Sequence, residues 1–115
     1  MAQNKKEEFK KSDLELADFA KAISHPARVA ILKTISKKNM CICGEIVDVL
    51  PLSQSTVSQH LRELLKAGLL EGTVDGTKSC YCINWKAFAR FSKGFNEFFN
   101  SAKSRAESFE KKKCC

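Results

Sequence analysis

The run from Cys41 to Leu70, CICGEIVDVLPLSQSTVSQHLRELLKAGLL, constrains this chain more than any other part of it. Its first third, from Cys41 or Ile42 to Leu50, reads as a short helix with Ile42, Ile46, Val47, Val49 and Leu50 as apolar members. Pro51 ends that helix, because the residue before a proline is pushed out of the helical region. Ser53 is a good N-cap for a second helix reaching Ala67, with Val57, Leu61, Leu64 and Leu65 facing inward. Gly68 is its expected C-cap. Two short helices about a tight turn form a unit that can set its second helix into a DNA groove.

The other side of that second helix carries Gln54, Ser55, Thr56, Ser58, Gln59, His60 and Arg62. These are the side chains that reach base edges and hold phosphates. A merely solvated face would be richer in Lys and Glu, as residues 103–113 are. The helix is followed by Leu69 to Val74, then Asp75-Gly76, then Lys78 to Ile83, which reads as a hairpin with a strong turn signal. Lys78 lies near its tip, where a wing meets a phosphate or the minor groove. The net charge of +7 favours a polyanionic partner.

The rest of the chain supports this unit. Residues 1–12 are a polar lead-in, 13–110 a single DNA-binding and dimerisation domain, and 111–115 a Lys/Cys tail. A helix from Asp13 to Ile23 is broken by Ser24-His25-Pro26, where Ser24 or His25 caps the helix Ala27 to Ile35. The last helix runs from about Lys86 to about Phe109, with Phe88, Phe91, Phe95, Phe98, Ala102 and Phe109 at three- and four-residue steps. A small domain can hardly bury that many aromatics by itself, so the stripe reads as a dimer face. The expected fold is therefore mainly α with a small β-hairpin wing, a homodimeric winged helix-turn-helix. No stretch is apolar enough to span a bilayer, so no membrane partner is expected. The first residues lack the apolar core of a secretory signal, and the reading is cytoplasmic.

Taken together, AKAISHPARVAILKTI at 20–35, CICGEI at 41–46, SQSTVSQHLRELLKAGLL at 53–70 and DGTKSCYCI at 75–83 resemble the ArsR/SmtB family of bacterial metal- and metalloid-responsive repressors. The resemblance covers about residues 14–85. It implies a homodimer formed by the first and last helices, a two-fold double-stranded operator, and release of the DNA when an effector binds. Cys41 and Cys43 lie where the arsenic-responsive branch carries its paired cysteines. The implied inducer is As(III) or Sb(III), with a soft divalent ion such as cadmium or lead as a variant. No cofactor is implied for DNA binding itself. The arsenic pattern has a third cysteine three residues after the second, and that position here is Ile46. Cys114 or Cys115 is the first candidate for the missing sulfur, reached by a travelling tail. The family's Asp/His zinc site on the last helix is disfavoured, because residues 86–113 contain neither type.

Soft thiolates select soft ions, which is why the cysteines matter. On a regular helix Cys41 and Cys43 would face opposite sides, so binding would have to reshape the helix start. Cys80 and Cys82 share one face of a strand and read first as small apolar residues at the wing base. Two alternatives stand beside the metalloid-responsive repressor. One is a repressor of the same fold that senses oxidants or reactive sulfur through paired thiols. The other, from a different class, is a dithiol metalloid carrier or enzyme. The chain has no Gly-rich phosphate loop, paired-carboxylate motif or nucleophile elbow, so an enzyme is not expected.

Overall fold

Ser24-His25-Pro26 does what its residue types dictate. His25 is extended, and its Nδ1 accepts the Ala27 N–H at 3.0 Å, while Pro26 takes the first helical position. This separates α1 (Lys11–Ala22) from α2 (Pro26–Lys37). A computed structural model describes residues 8–38, 40–43, 52–73 and 80–112. Beyond α2 these form β1 (Cys41–Cys43), α3 (Gln54–Lys66), β2 (Leu70–Thr73), β3 (Cys80–Ile83) and α4 (Trp85–Lys112).

β1 corrects the expected helix at Cys41 or Ile42. Cys41–Cys43 is a strand, antiparallel to β3, with Cys41 opposite Cys82, Ile42 opposite Tyr81 and Cys43 opposite Cys80. The physical reason is the period. Ile42 packs against the core between two exposed cysteines, an alternation of two that matches the alternation along β3. Met40 adopts the left-handed backbone, φ 73°, and its carbonyl accepts the Ile83 N–H at 2.8 Å, which extends the pairing. The remainder of the expected helix, 44–51, lies outside the described residues.

The sheet order is β1-β3-β2, all antiparallel. Its inner face presents Leu70, Tyr81 and Ile83, all buried. Its outer face carries the four cysteines and Glu71, which stands opposite Cys82. At Gly72, opposite Tyr81, φ is +150° and an added Cβ would overlap the Cys80 carbonyl, so only glycine lets β2 close on β3 there.

Gly68 ends α3 as its position promised. It is left-handed at φ +83°, its N–H donates to the Leu65 carbonyl at 3.0 Å, and the Leu69 N–H donates to the Leu64 carbonyl at 3.0 Å. That is the Schellman arrangement, sealed by Leu64 and Leu69, both fully buried. Ile31, Ile35 and the partly polar α3's Val57 and Leu61 complete the centre of the core.

Asn84 joins this end to the next helix. Its backbone N–H donates to the Leu69 carbonyl at 3.0 Å and its Nδ2 to the Gly68 carbonyl at 2.9 Å. Its Oδ1 accepts the Ala87 N–H at 3.2 Å and so caps α4. From there Ala87 and Phe91 are buried, Phe88 and Phe95 half-buried, and Phe98, Phe99 and Phe109 exposed. Phe91 meets Phe19 of α1 at a centroid distance of 4.9 Å.

Candidate nucleic-acid interface and thiol face

Ser53 organises the start of α3. Its Oγ accepts the Thr56 N–H at 3.3 Å and lies 2.9 Å from the Thr56 hydroxyl and 3.2 Å from that of Ser55. The helix has no acidic residue in its first turn, so its N-terminal N–H groups and positive dipole end meet no carboxylate from within that turn. Gln54, Ser55, Gln59 and Arg62 are exposed, and Thr56 and Ser58 are half-buried beside them. Ser53, Gln54, Ser55, Ser58 and Arg62 line a shallow polar depression. Val57, His60, Leu61 and Leu64 turn the other way, into the core.

His60 is therefore a correction to the expected set of groove-facing residues. It is only 9% exposed. Its Nδ1 accepts the Arg28 Nε–H at 3.1 Å, its ring lies 4.4 Å from that of His25, and Arg28 Nη1 donates onward to the Ala22 carbonyl at 3.1 Å. The cause is position: three residues after Val57 and four before Leu64, residue 60 falls on the inward stripe whatever its polarity. Lys78 lies outside the described residues.

Burial holds the His60 pKa below its ordinary value of 6.5, with the charges of His25 and then Arg28 adding to it. A proton on Nδ1 would also remove the acceptor that Arg28 uses. With the folded pKa below the unfolded one, the unfolded chain binds more protons between the two values. The stabilisation from neutral His60 is thus complete above pH about 6.5 and is lost as pH falls from there towards the folded pKa. Thermal melting between pH about 7.5 and 5.5 should show this decline, and His60→Gln should flatten it. An identical decline in that variant would assign it to another group.

The second feature is the outer face of the sheet. Cys41 and Cys43 are exposed on β1, and Cys80 and Cys82 half-buried on β3. Cys41 is disulfide-bonded to Cys82 and Cys43 to Cys80, each pair 4.0 Å apart at Cα. Two earlier expectations change here. Cys41 and Cys43 already share one face, because side chains two apart on a strand point the same way. No helix start has to unwind to bring them together. Cys80 and Cys82 are not the core residues of β3, since Tyr81 and Ile83 fill that role. The signal that could have found the pairing is the repeated Cys-x-Cys spacing, which is a strand period on both segments. Cys114 and Cys115 lie outside the described residues.

Residues 25–71 match the family described as bacterial regulatory protein, arsR family. An uncharacterized HTH-type transcriptional regulator of Methanocaldococcus jannaschii is 40% identical over 68 residues, which are 58% of this chain and 75% of that protein. The arsenical resistance operon repressor of Staphylococcus xylosus is 31% identical over 70 residues, 61% of this chain and 66% of that protein. An ArsR-like transcriptional regulator from Rhodococcus sp. RHA1 shares the fold, with a TM-score of 0.65 at 20% identity over 85% of this chain and 92% of that one. On the family match and the 40% identity, the chain belongs to the arsR family of bacterial regulatory proteins, and it is a helix-turn-helix transcriptional regulator rather than an enzyme.

Proposed function

We propose that the chain is a cytoplasmic homodimeric repressor that leaves its double-stranded operator when its thiols capture As(III) or Sb(III). The observation that carries the effector half is the placement of Cys41 and Cys43 side by side on the exposed face of β1, one strand from Cys80 and Cys82. The relative from Staphylococcus xylosus, named as an arsenical resistance operon repressor, supports the same effector class. Trivalent arsenic prefers three sulfurs. Beside Cys114 and Cys115, the fold adds Cys80 and Cys82 as candidates for the sulfur that Ile46 does not supply. A soft divalent ion is the variant of this reading.

DNA is assigned to the capped start of α3, through Gln54, Ser55, Thr56, Ser58, Gln59 and Arg62, and to Lys78. Gln59→Ala should cost about 1–3 kcal/mol at the operator and little on unrelated DNA. Arg62→Ala should weaken both and lower the salt slope by about 1. Fluorescence anisotropy on operator and scrambled duplexes at several salt concentrations separates the two. Equal losses on both duplexes for Gln59→Ala would remove it from base reading.

The dimer is assigned to α1 and α4. α4 is about 42 Å long at 1.5 Å per residue, and Phe98 and Phe99 at its middle and Phe109 near its end are each more than half exposed. Phe95, Phe98 and Phe99 form a chain of rings at 5.3 Å spacings that ends in solvent. A second copy of α4 is the partner such a stripe fits.

A second reading, in which oxidants or reactive sulfur are the signal, is favoured by one observation, the cross-strand disulfides Cys41–Cys82 and Cys43–Cys80. Anisotropy of the fully reduced chain on its own upstream DNA, titrated with arsenite, decides. Release near one arsenite per chain supports the metalloid reading. Tight binding untouched by arsenite, but lost on oxidation and regained with dithiothreitol, replaces it with the second. No specific binding at all overturns the repressor reading.

A further inference from the structure

Arg28 ties three helices together at one point. From α2 its Nε–H donates to Nδ1 of His60 in α3 at 3.1 Å, and its Nη1 donates to the Ala22 carbonyl at the end of α1 at 3.1 Å. The His25 ring stands 4.4 Å from that of His60, and its own Nδ1 accepts the Ala27 N–H at 3.0 Å. A neutral imidazole that accepts at Nδ1 carries its one proton on Nε2. A second proton on either ring can go only to Nδ1, where it removes the acceptor of Arg28 or the cap of α2. The chain has two histidines, and both stand in this cluster.

The surrounding charges give the cluster a second position. Arg28 reaches a cleft that it lines together with Asp18 and Lys21 of α1 and Glu63 and Lys66 of α3. Glu15 and Arg90 pair across the same cleft at 3.8 Å. β2, the strand packed on α3, carries Glu71 on the outer face of the sheet. The groups in contact with His60 are thus His25 and Arg28, and carboxylates stand where the Arg28 side chain can turn.

We propose that the proton is a second effector of this regulator: acid breaks the Arg28–His60 bond, loosens α3 from α2 and weakens operator binding, with Arg28 and His60 as positioning residues for the reading helix. A protonated His60 meets Arg28 as a like charge at hydrogen-bond distance. The guanidinium then turns to Asp18 and Glu63 in the cleft. Gln59 and Arg62, assigned to DNA above, lie one and two positions from His60, so a shift of that turn is a shift of the contact face. The DNA-bound chain keeps the bond and therefore binds fewer protons than the free chain, so affinity falls as pH falls. The sign is opposite to that of net charge, because acid makes the chain more cationic and a more cationic chain grips phosphates harder. The proposal rests on the operator-binding reading above and not on its thiol effector.

The test is fluorescence anisotropy of the full-length reduced chain on its own upstream DNA, without arsenite, from pH about 7.5 to about 5.0 at constant ionic strength. Burial lowers the His60 pKa from 6.5, so the fall belongs below that pH. The expected loss is at least about threefold over the range, with coupling to one proton limiting it to about tenfold per pH unit. His60→Gln keeps an oxygen acceptor for Arg28 and takes up no proton, so its affinity should not fall in acid. NMR of the parent chain labelled with nitrogen-15 histidine should show Nδ1 of His60 unprotonated at pH 7.5 and taking its proton where affinity begins to fall. Affinity that is flat or rises in acid, a fall that persists in His60→Gln, a fall that tracks no histidine titration, or a fall that accompanies loss of helical circular dichroism would each overturn the proposal. Specific binding at pH 7.5 that acid does not weaken overturns this proposal alone, whereas no specific binding at pH 7.5 overturns the repressor reading and this proposal with it.

Discussion

A chain carrying Cys41→Ser and Cys43→Ser is expected to bind its operator as the parent does and to ignore arsenite. Both side chains are exposed and lie on the sheet face turned away from the core, so in the reduced chain replacing sulfur by oxygen removes no core contact, while the cross-strand bonds Cys41–Cys82 and Cys43–Cys80 can no longer form in either state. Ser53, which starts α3, and Gly68, which ends it, make none of their hydrogen bonds to β1. What is lost is the soft donor pair. Arsenite needed for half-release should rise by more than about 100-fold, beyond the cost of disturbing an outer-shell partner. The measurement is anisotropy under dithiothreitol, with melting of the same reduced samples as a check on folding. Release at the parent's arsenite concentration would take these two sulfurs out of the effector site.

The second large effect is one of stability. Leu64→Ala should cost about 2–5 kcal/mol, because Leu64 is fully buried and a deleted isobutyl group leaves a cavity as well as a lost transfer energy. Against a total of roughly 5–15 kcal/mol for a domain, that is a large share. Leu64 packs with Leu69, Leu61 and Ile35 inside the core and also sits at the Schellman end of α3. Chemical denaturation should show a lower midpoint with an unchanged slope. A shift of less than about 1 kcal/mol would mean that the site collapses around alanine, and that the seat of α3 is softer than its burial indicates.

Local signals were legible in the sequence where a residue type has one job. Ser53, Gly68 and Pro26 each mark a helix end through chemistry that acts within a few residues, and of the two candidate caps Ser24 and His25 the structure uses His25. Residues that act across the chain were not legible. Cys41–Cys43 is three residues long, too short to display a period by itself. Ile42 suits a helix as well as a strand, and what decides is β3, some forty positions later. The same distance hid the facing of Cys80 and Cys82 towards β1. His60 departs from the expected groove face for a different reason. Its polarity points outward while its place on the inward stripe points to the core, and its partner Arg28 is contributed by another helix. Asn84 is of a helix-capping type, but its bonds to Gly68 and Leu69 depend on where the end of α3 comes to lie.

That asparagine has a mechanical consequence. One carboxamide closes the helix assigned to the groove and opens the helix assigned to the partner, so the two behave as arms of a single hinge pin. Rolling α3 in its seat would either break the bond to the Gly68 carbonyl or carry the root of α4 with it. In a paired molecule, the separation of the two reading arms would then be geared to the angle between the long arms. In the dimer proposed above, a change at position 84 is expected to alter the span between operator half-sites more than the grip on either one.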